Sequence, residues 1–141
     1  MGRILAIDYG KKRTGIAVTD TLQIIANGLT TVPSHEVLKF LKDYLQKEPV
    51  EAFVVGYARQ MDHSDSESMQ YIEPFVKQLV KHFPQLPVYR VDERFTSKMA
   101  FQTMIDGGLK KKQRQNKALV DTISATIILQ SFMEQKARGL I

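Results

Sequence analysis

The sequence predicts an α/β domain built on a five-stranded mixed sheet with helices on both faces, and three observations carry that expectation. From Met1 to Pro33 the chain reads as three β segments joined by short turns, which is a meander. From Ser34 to Arg94 apolar residues at helical spacing alternate with short unbroken apolar runs, the pattern of parallel strands joined by crossover helices. The chain then closes on one long amphipathic stretch.

Ile4 to Ile7 form the first strand, Gly10 to Arg13 a tight connection, and Thr14 to Thr19 the antiparallel partner, so Asp8 falls at the rim of the sheet. Ile24 to Val32 supply a third strand bent at Gly28, and Pro33 ends it before a helix that Ser34 is expected to cap. Val37, Leu38, Leu41 and Leu45 mark that helix, and Pro49 stops it. The run Ala52 to Gly56 has no polar alternation and predicts a strand buried on both faces. After a polar stretch from Ala58, the positions Ile72, Phe75, Val76, Leu79, Val80 and Phe83 predict a second helix closed by Pro84 and Pro87. The segment PVYRVDER is the fifth strand. A short helix over about 97–105 ends at Gly107 and Gly108, the basic run LKKKQRQNK follows, and a final helix covers about 116–136. This is the order expected of a ribonuclease H-like domain.

With 141 residues, 43% of them hydrophobic, residues 1–141 fit one domain with a real core and leave no length for a second. There is no Cys, which excludes disulfides, thiolate zinc sites and a cysteine nucleophile and agrees with a cytoplasmic setting. MGRILAIDYG is neither a signal peptide nor a membrane span, and no other apolar run is long enough to cross a bilayer. A net charge of +5 favours a polyanionic partner.

The acids carry the chemistry. Asp8 ends one apolar strand, and Asp92 and Glu93 end another. In the last helix Asp121 shares a stripe with Ala118, Ala125, Ile128 and Phe132, so it faces the sheet and needs a compensating charge. A divalent cation shared by Asp8, Glu93 and Asp121 would supply it. Two Mg²⁺ or Mn²⁺ ions on such carboxylates can hydrolyse a phosphodiester with no protein nucleophile. Because adjacent strand residues point to opposite faces, a register shift of one residue would exchange Glu93 for Asp92; Glu93 is preferred. The plainer readings are that Asp8 caps a turn and that Asp121 answers the helix dipole.

The segments IDYGKKRTGIAVTD, VVGYARQMD, VDERFTS and KALVDTISATIILQSF together resemble the YqgF/RuvX family of Holliday junction resolvases and pre-16S ribosomal RNA nucleases, and the likeness covers nearly the whole chain. It implies a ribonuclease H-like fold and a metal-dependent nuclease whose catalytic acids are Asp8, Glu93 and Asp121, the same three that spacing selects. Ala58 and His63 depart from the Pro and Gly usual in the family's second motif, which bears on that loop and not on the acids.

Basic residues flank those acids: Lys11, Lys12 and Arg13 beside Asp8, and Lys110, Lys111, Lys112, Arg114 and Lys117 ahead of Asp121. Charge runs are commonly solvated loops, but their placement here favours phosphate contact, with Lys117 nearest the scissile group. Arg94 could add a phosphate contact or simply pair with Asp92. Tyr9, Tyr57 and Phe95 read as packing residues before stacking platforms, and His35, His63 and His82 lack ligand spacing. The expectation is a Mg²⁺- or Mn²⁺-dependent endonuclease acting on pre-ribosomal RNA. The alternatives are a resolvase of four-way DNA junctions, whose paired cuts would call for a two-fold homodimer, and a non-catalytic nucleic-acid-binding module.

Overall fold

The computed structural model describes residues 2–57, 69–92, 117–137 and 139. Five strands, β1 (Arg3–Tyr9), β2 (Arg13–Thr19), β3 (Ala26–Pro33), β4 (Val50–Tyr57) and β5 (Val88–Asp92), form one sheet in the order β3-β2-β1-β4-β5. β1, β2 and β3 pair antiparallel, whereas β4 lies parallel to β1 and β5 parallel to β4. Among the described residues three helices, α1 (Val37–Lys47), α2 (Met69–His82) and α3 (Lys117–Ala137), accompany them, with a 3₁₀ turn over Ser34–Glu36 leading into α1. The helix expected over 97–105 lies outside the described residues.

Alternation along the strands divides the core in two. Leu5, Ile7, Ile16, Val18, Phe53 and Val55 face one way and pack on Val37 and Leu41 of α1 and on Ile72, Phe75 and Leu79 of α2. Ile4, Ala6, Ala17, Val54 and Val91 face the other way and pack on Ala125, Ile128, Leu129 and Phe132 of α3. β4 therefore feeds both cores, and its residues Ala52 to Gly56 are all buried, as the unbroken apolar run requires. Of the stripe predicted for the last helix, Ala125, Ile128 and Phe132 are buried. Val80, by contrast, is 48% exposed, because an apolar arc wider than the helix needs leaves its margin in solvent.

Two glycines set how closely α3 approaches. A Cβ on Gly15 of β2 would stand 2.0 Å from the Asp121 carbonyl oxygen, and one on Gly28 of β3 would stand 2.6 Å from Thr122 Cγ2. The N-terminal half of α3 lies directly on these strands because neither has a side chain there. Gly28 also sits at a bulge: Ile16 pairs with Thr30 and Ala17 with Gly28, leaving Leu29 unpaired. Thr31 and Thr122 bridge the same seam through their hydroxyls at 2.6 Å.

Ser34 does something other than cap a helix. It is the first residue of the 3₁₀ turn, whose N-cap is Pro33; the residue is buried, its hydroxyl donates to the Gly10 carbonyl oxygen and bonds Thr14 Oγ1 at 2.9 Å, and its N–H donates to the Lys12 carbonyl at 3.0 Å. The β1–β2 turn lies close enough to claim those groups, and a buried hydroxyl is better satisfied there than at an exposed helix start.

Candidate active site

Asp8 and Asp121 reach one end of the sheet by separate routes. Asp8 continues the series Ile4, Ala6 that faces α3, and it pairs across the strands with Gly15. Gly15 in turn lies under the Asp121 carbonyl, so one glycine links the two acids through backbone contact on both sides. Asp121 opens the stripe Ala125, Ile128, Phe132 and is held over the strand ends with its side chain 23% exposed; Asp8 is half-buried.

Arg13 joins them. On β2 the residues facing α3 are Gly15 and Ala17, and Arg13 is the preceding member of that series. Its Nε donates to Asp121 Oδ2 at 2.7 Å, with the guanidinium side chain 40% exposed. The compensating charge expected for Asp121 is thus supplied, in the described residues, by the basic turn itself. Lys11 and Lys12 of the same turn are exposed. Gly10 makes the turn this tight, since a Cβ there would meet the Arg13 carbonyl at 2.4 Å.

The other predicted groups fall as follows. Glu93, Arg94, Lys110, Lys111, Lys112 and Arg114 lie outside the described residues, as do Ala58 and His63. Lys117 begins α3, and Asp92 ends β5 opposite Tyr57. Val91 packs with the α3 core. Among the described residues no three His, Asp or Glu side chains come together as a metal site. Tyr9 turns to the far core and stacks on Phe75, with ring centroids 4.2 Å apart and planes 11° apart, which is the packing role expected of it.

Sequence reasoning missed two residues that build this site, Gly15 and Ser34. For Gly15 a signal existed: a glycine inside an otherwise apolar strand marks a close backbone approach. For Ser34 there was none, since its partners are distant in the chain.

A mixed sheet with this strand order and acids at its carboxyl-end rim is the frame of a ribonuclease H-like nuclease. It superposes on the RuvC of Thermus thermophilus, solved in complex with a Holliday junction substrate, with a TM-score of 0.54 at 18% identity over 96% of each chain, a likeness of fold. Residues 2–135 match the RuvX family, described as Holliday junction resolvase, and the chain belongs to that family of nucleases. A protein of Phocaeicola vulgatus is 68% identical over 96% of this chain and 98% of its own length, and one of Bacteroides thetaiotaomicron is 65% identical over 96% and 99%; both carry the provisional name pre-16S rRNA nuclease.

Proposed function

We propose that this nuclease is a divalent-metal-dependent endonuclease that trims the 5′ end of pre-16S ribosomal RNA, with Asp8, Glu93 and Asp121 holding Mg²⁺ or Mn²⁺. The observation that carries the reading is the close seating of α3 on Gly15, which puts Asp121 and Asp8 on either side of one glycine. Both offer carboxylate oxygens, the donors a hard cation takes, from rigid elements. Glu93 is taken as the third acid because it matches the acid of the family's VDER motif, with its neighbour Asp92 as the alternative. The names of the relatives support the RNA substrate.

When bound, the cation would activate water and offset charge on the leaving oxygen. The chain's own residues do the rest. Asp8 and Asp121 define where the scissile phosphate must sit, β1 and α3 keep both carboxylates from drifting, and the exposed Lys11 and Lys12 attract the flanking phosphates. Lys110, Lys111, Lys112, Arg114 and Lys117, ahead of Asp121 in the sequence, would add further phosphate contacts. Arg94 would add to it.

A second reading, cleavage of four-way DNA junctions, is favoured by the family's own description. The test offers purified protein a ribosomal precursor and a synthetic junction side by side, with Mg²⁺ and with Mn²⁺. Specific cutting of the precursor, reduced about 100-fold or more in Asp8→Asn, is the expected result. Preference for the junction reverses the substrate assignment, and undiminished cutting by Asp8→Asn removes the carboxylate site.

A further inference from the structure

We infer that Arg13 is a built-in counter-ion for Asp121, a positioning residue that occupies the carboxylate while the site lacks metal and that a divalent cation must displace. The inference rests on the metal-site reading above and adds to it a competitor inside the chain.

Three observations carry it. Arg13 Nε lies 2.7 Å from Asp121 Oδ2, a charge-assisted hydrogen bond with one of the two oxygens a cation would use. The contact is set by rigid parts: Arg13 lies two residues before Gly15, on which the Asp121 backbone rests, and the turn ahead of it is held by Ser34 through Gly10 and Lys12. The Arg13 side chain is nevertheless 40% exposed, so the guanidinium has solvent on one side and room to leave. The Asp121 side chain is only 23% exposed, so its charge is costly without a partner, and Arg13 is the partner that offsets that cost. Once a cation takes Asp121, the same guanidinium stands free beside the site, suited to a phosphate oxygen.

The consequence is that Arg13 weakens metal binding while helping substrate binding. A merely structural arginine would do neither. Titration of the metal-free full-length protein with Mn²⁺ by calorimetry reads the first effect. Arg13→Gln should bind Mn²⁺ at least about fivefold tighter than wild type, the scale of one unit charge removed from a solvated site, and should raise KM for the RNA. Arg13→Lys, which keeps a charge, should stay within about twofold in Mn²⁺ affinity on the same reasoning. In the wild type, Mg²⁺ should shift the Arg13 Nε–H resonance and speed its exchange, a measurement that stands even where Arg13→Gln does not fold. Unchanged or weaker Mn²⁺ binding in a folded Arg13→Gln, or an Arg13 Nε–H signal untouched by saturating Mg²⁺, overturns the inference alone. Mn²⁺ binding that does not depend on Asp8 or Asp121 overturns the metal-site reading and this inference with it.

Discussion

Gly15 is the residue on which the site turns. A methyl group there has no soft neighbour to push aside, because the nearest atoms are the Asp121 carbonyl oxygen at 2.0 Å, its carbon at 2.5 Å and the Thr122 nitrogen at 3.1 Å, all backbone. Gly15→Ala should therefore lift α3 off β2 and cost about 3 kcal/mol, read as a lower melting temperature, with cleavage abolished in the molecules that stay folded. A melt within the error of wild type would mean that α3 sits elsewhere. Asp8→Asn is the opposite kind of change. It keeps size and hydrogen-bonding shape, so the melt should hold while metal-dependent cleavage disappears.

Among the elements, the two hairpin turns are prepared in different ways. In the first, Ser34 holds the Gly10–Lys12 segment through the groups on either side of it. Ser34→Ala removes the hydroxyl from a buried setting and leaves Thr14 Oγ1 short of a partner, so a drop of about 1–2 kcal/mol is expected in chemical denaturation. The accompanying sign is weaker RNA binding, because Lys11 and Lys12 no longer have a fixed placement. In the second turn, the Asp20 carboxylate accepts the N–H groups of Ile24 at 2.7 Å and Ile25 at 2.9 Å. The Ile25 bond is the chief reason its pKa lies below the ordinary value, ahead of a smaller opposing effect of desolvation and a further lowering by Ile24. A depressed folded pKa adds stability above the unfolded pKa, and that stability is lost as pH falls through the folded value. Amide protection at Ile24 and Ile25 should accordingly fade on acidification below about pH 4. The same amides in Asp20→Asn should show little pH dependence over that range.

Over the whole molecule, charge and architecture work together. The antiparallel meander ends at a basic turn, the parallel half brings the ends of β1, β4 and β5 to one edge, and α3 closes over the face that Asp8 shares. No helix among the described residues is long and apolar enough to cross a membrane. On the proposed function, a protein of net charge +5 should bind RNA more weakly as salt rises. Replacing Lys11 and Lys12 together by Ala should lower the slope of log K against log salt by roughly 0.7 for each phosphate that is no longer neutralised, with no change in thermal stability. An unchanged slope would move the RNA path away from this turn.

The strands, the helix over the last apolar stretch and the placing of Asp8 and Asp92 near strand ends were legible in the sequence, because alternation, helical spacing and turn chemistry are local properties of a chain. Asp8 and Asp121 could be singled out by the same means, each as a charge in an apolar pattern. Their neighbourhood could not, since residues so far apart in the chain meet only when α3 docks on β2 and β3. The tertiary structure alone decided that Gly15 is the contact between them, that Ser34 serves a turn instead of a helix, and that Arg13 answers Asp121. Such roles come from the space between elements, where packing distance selects partners that no local pattern encodes.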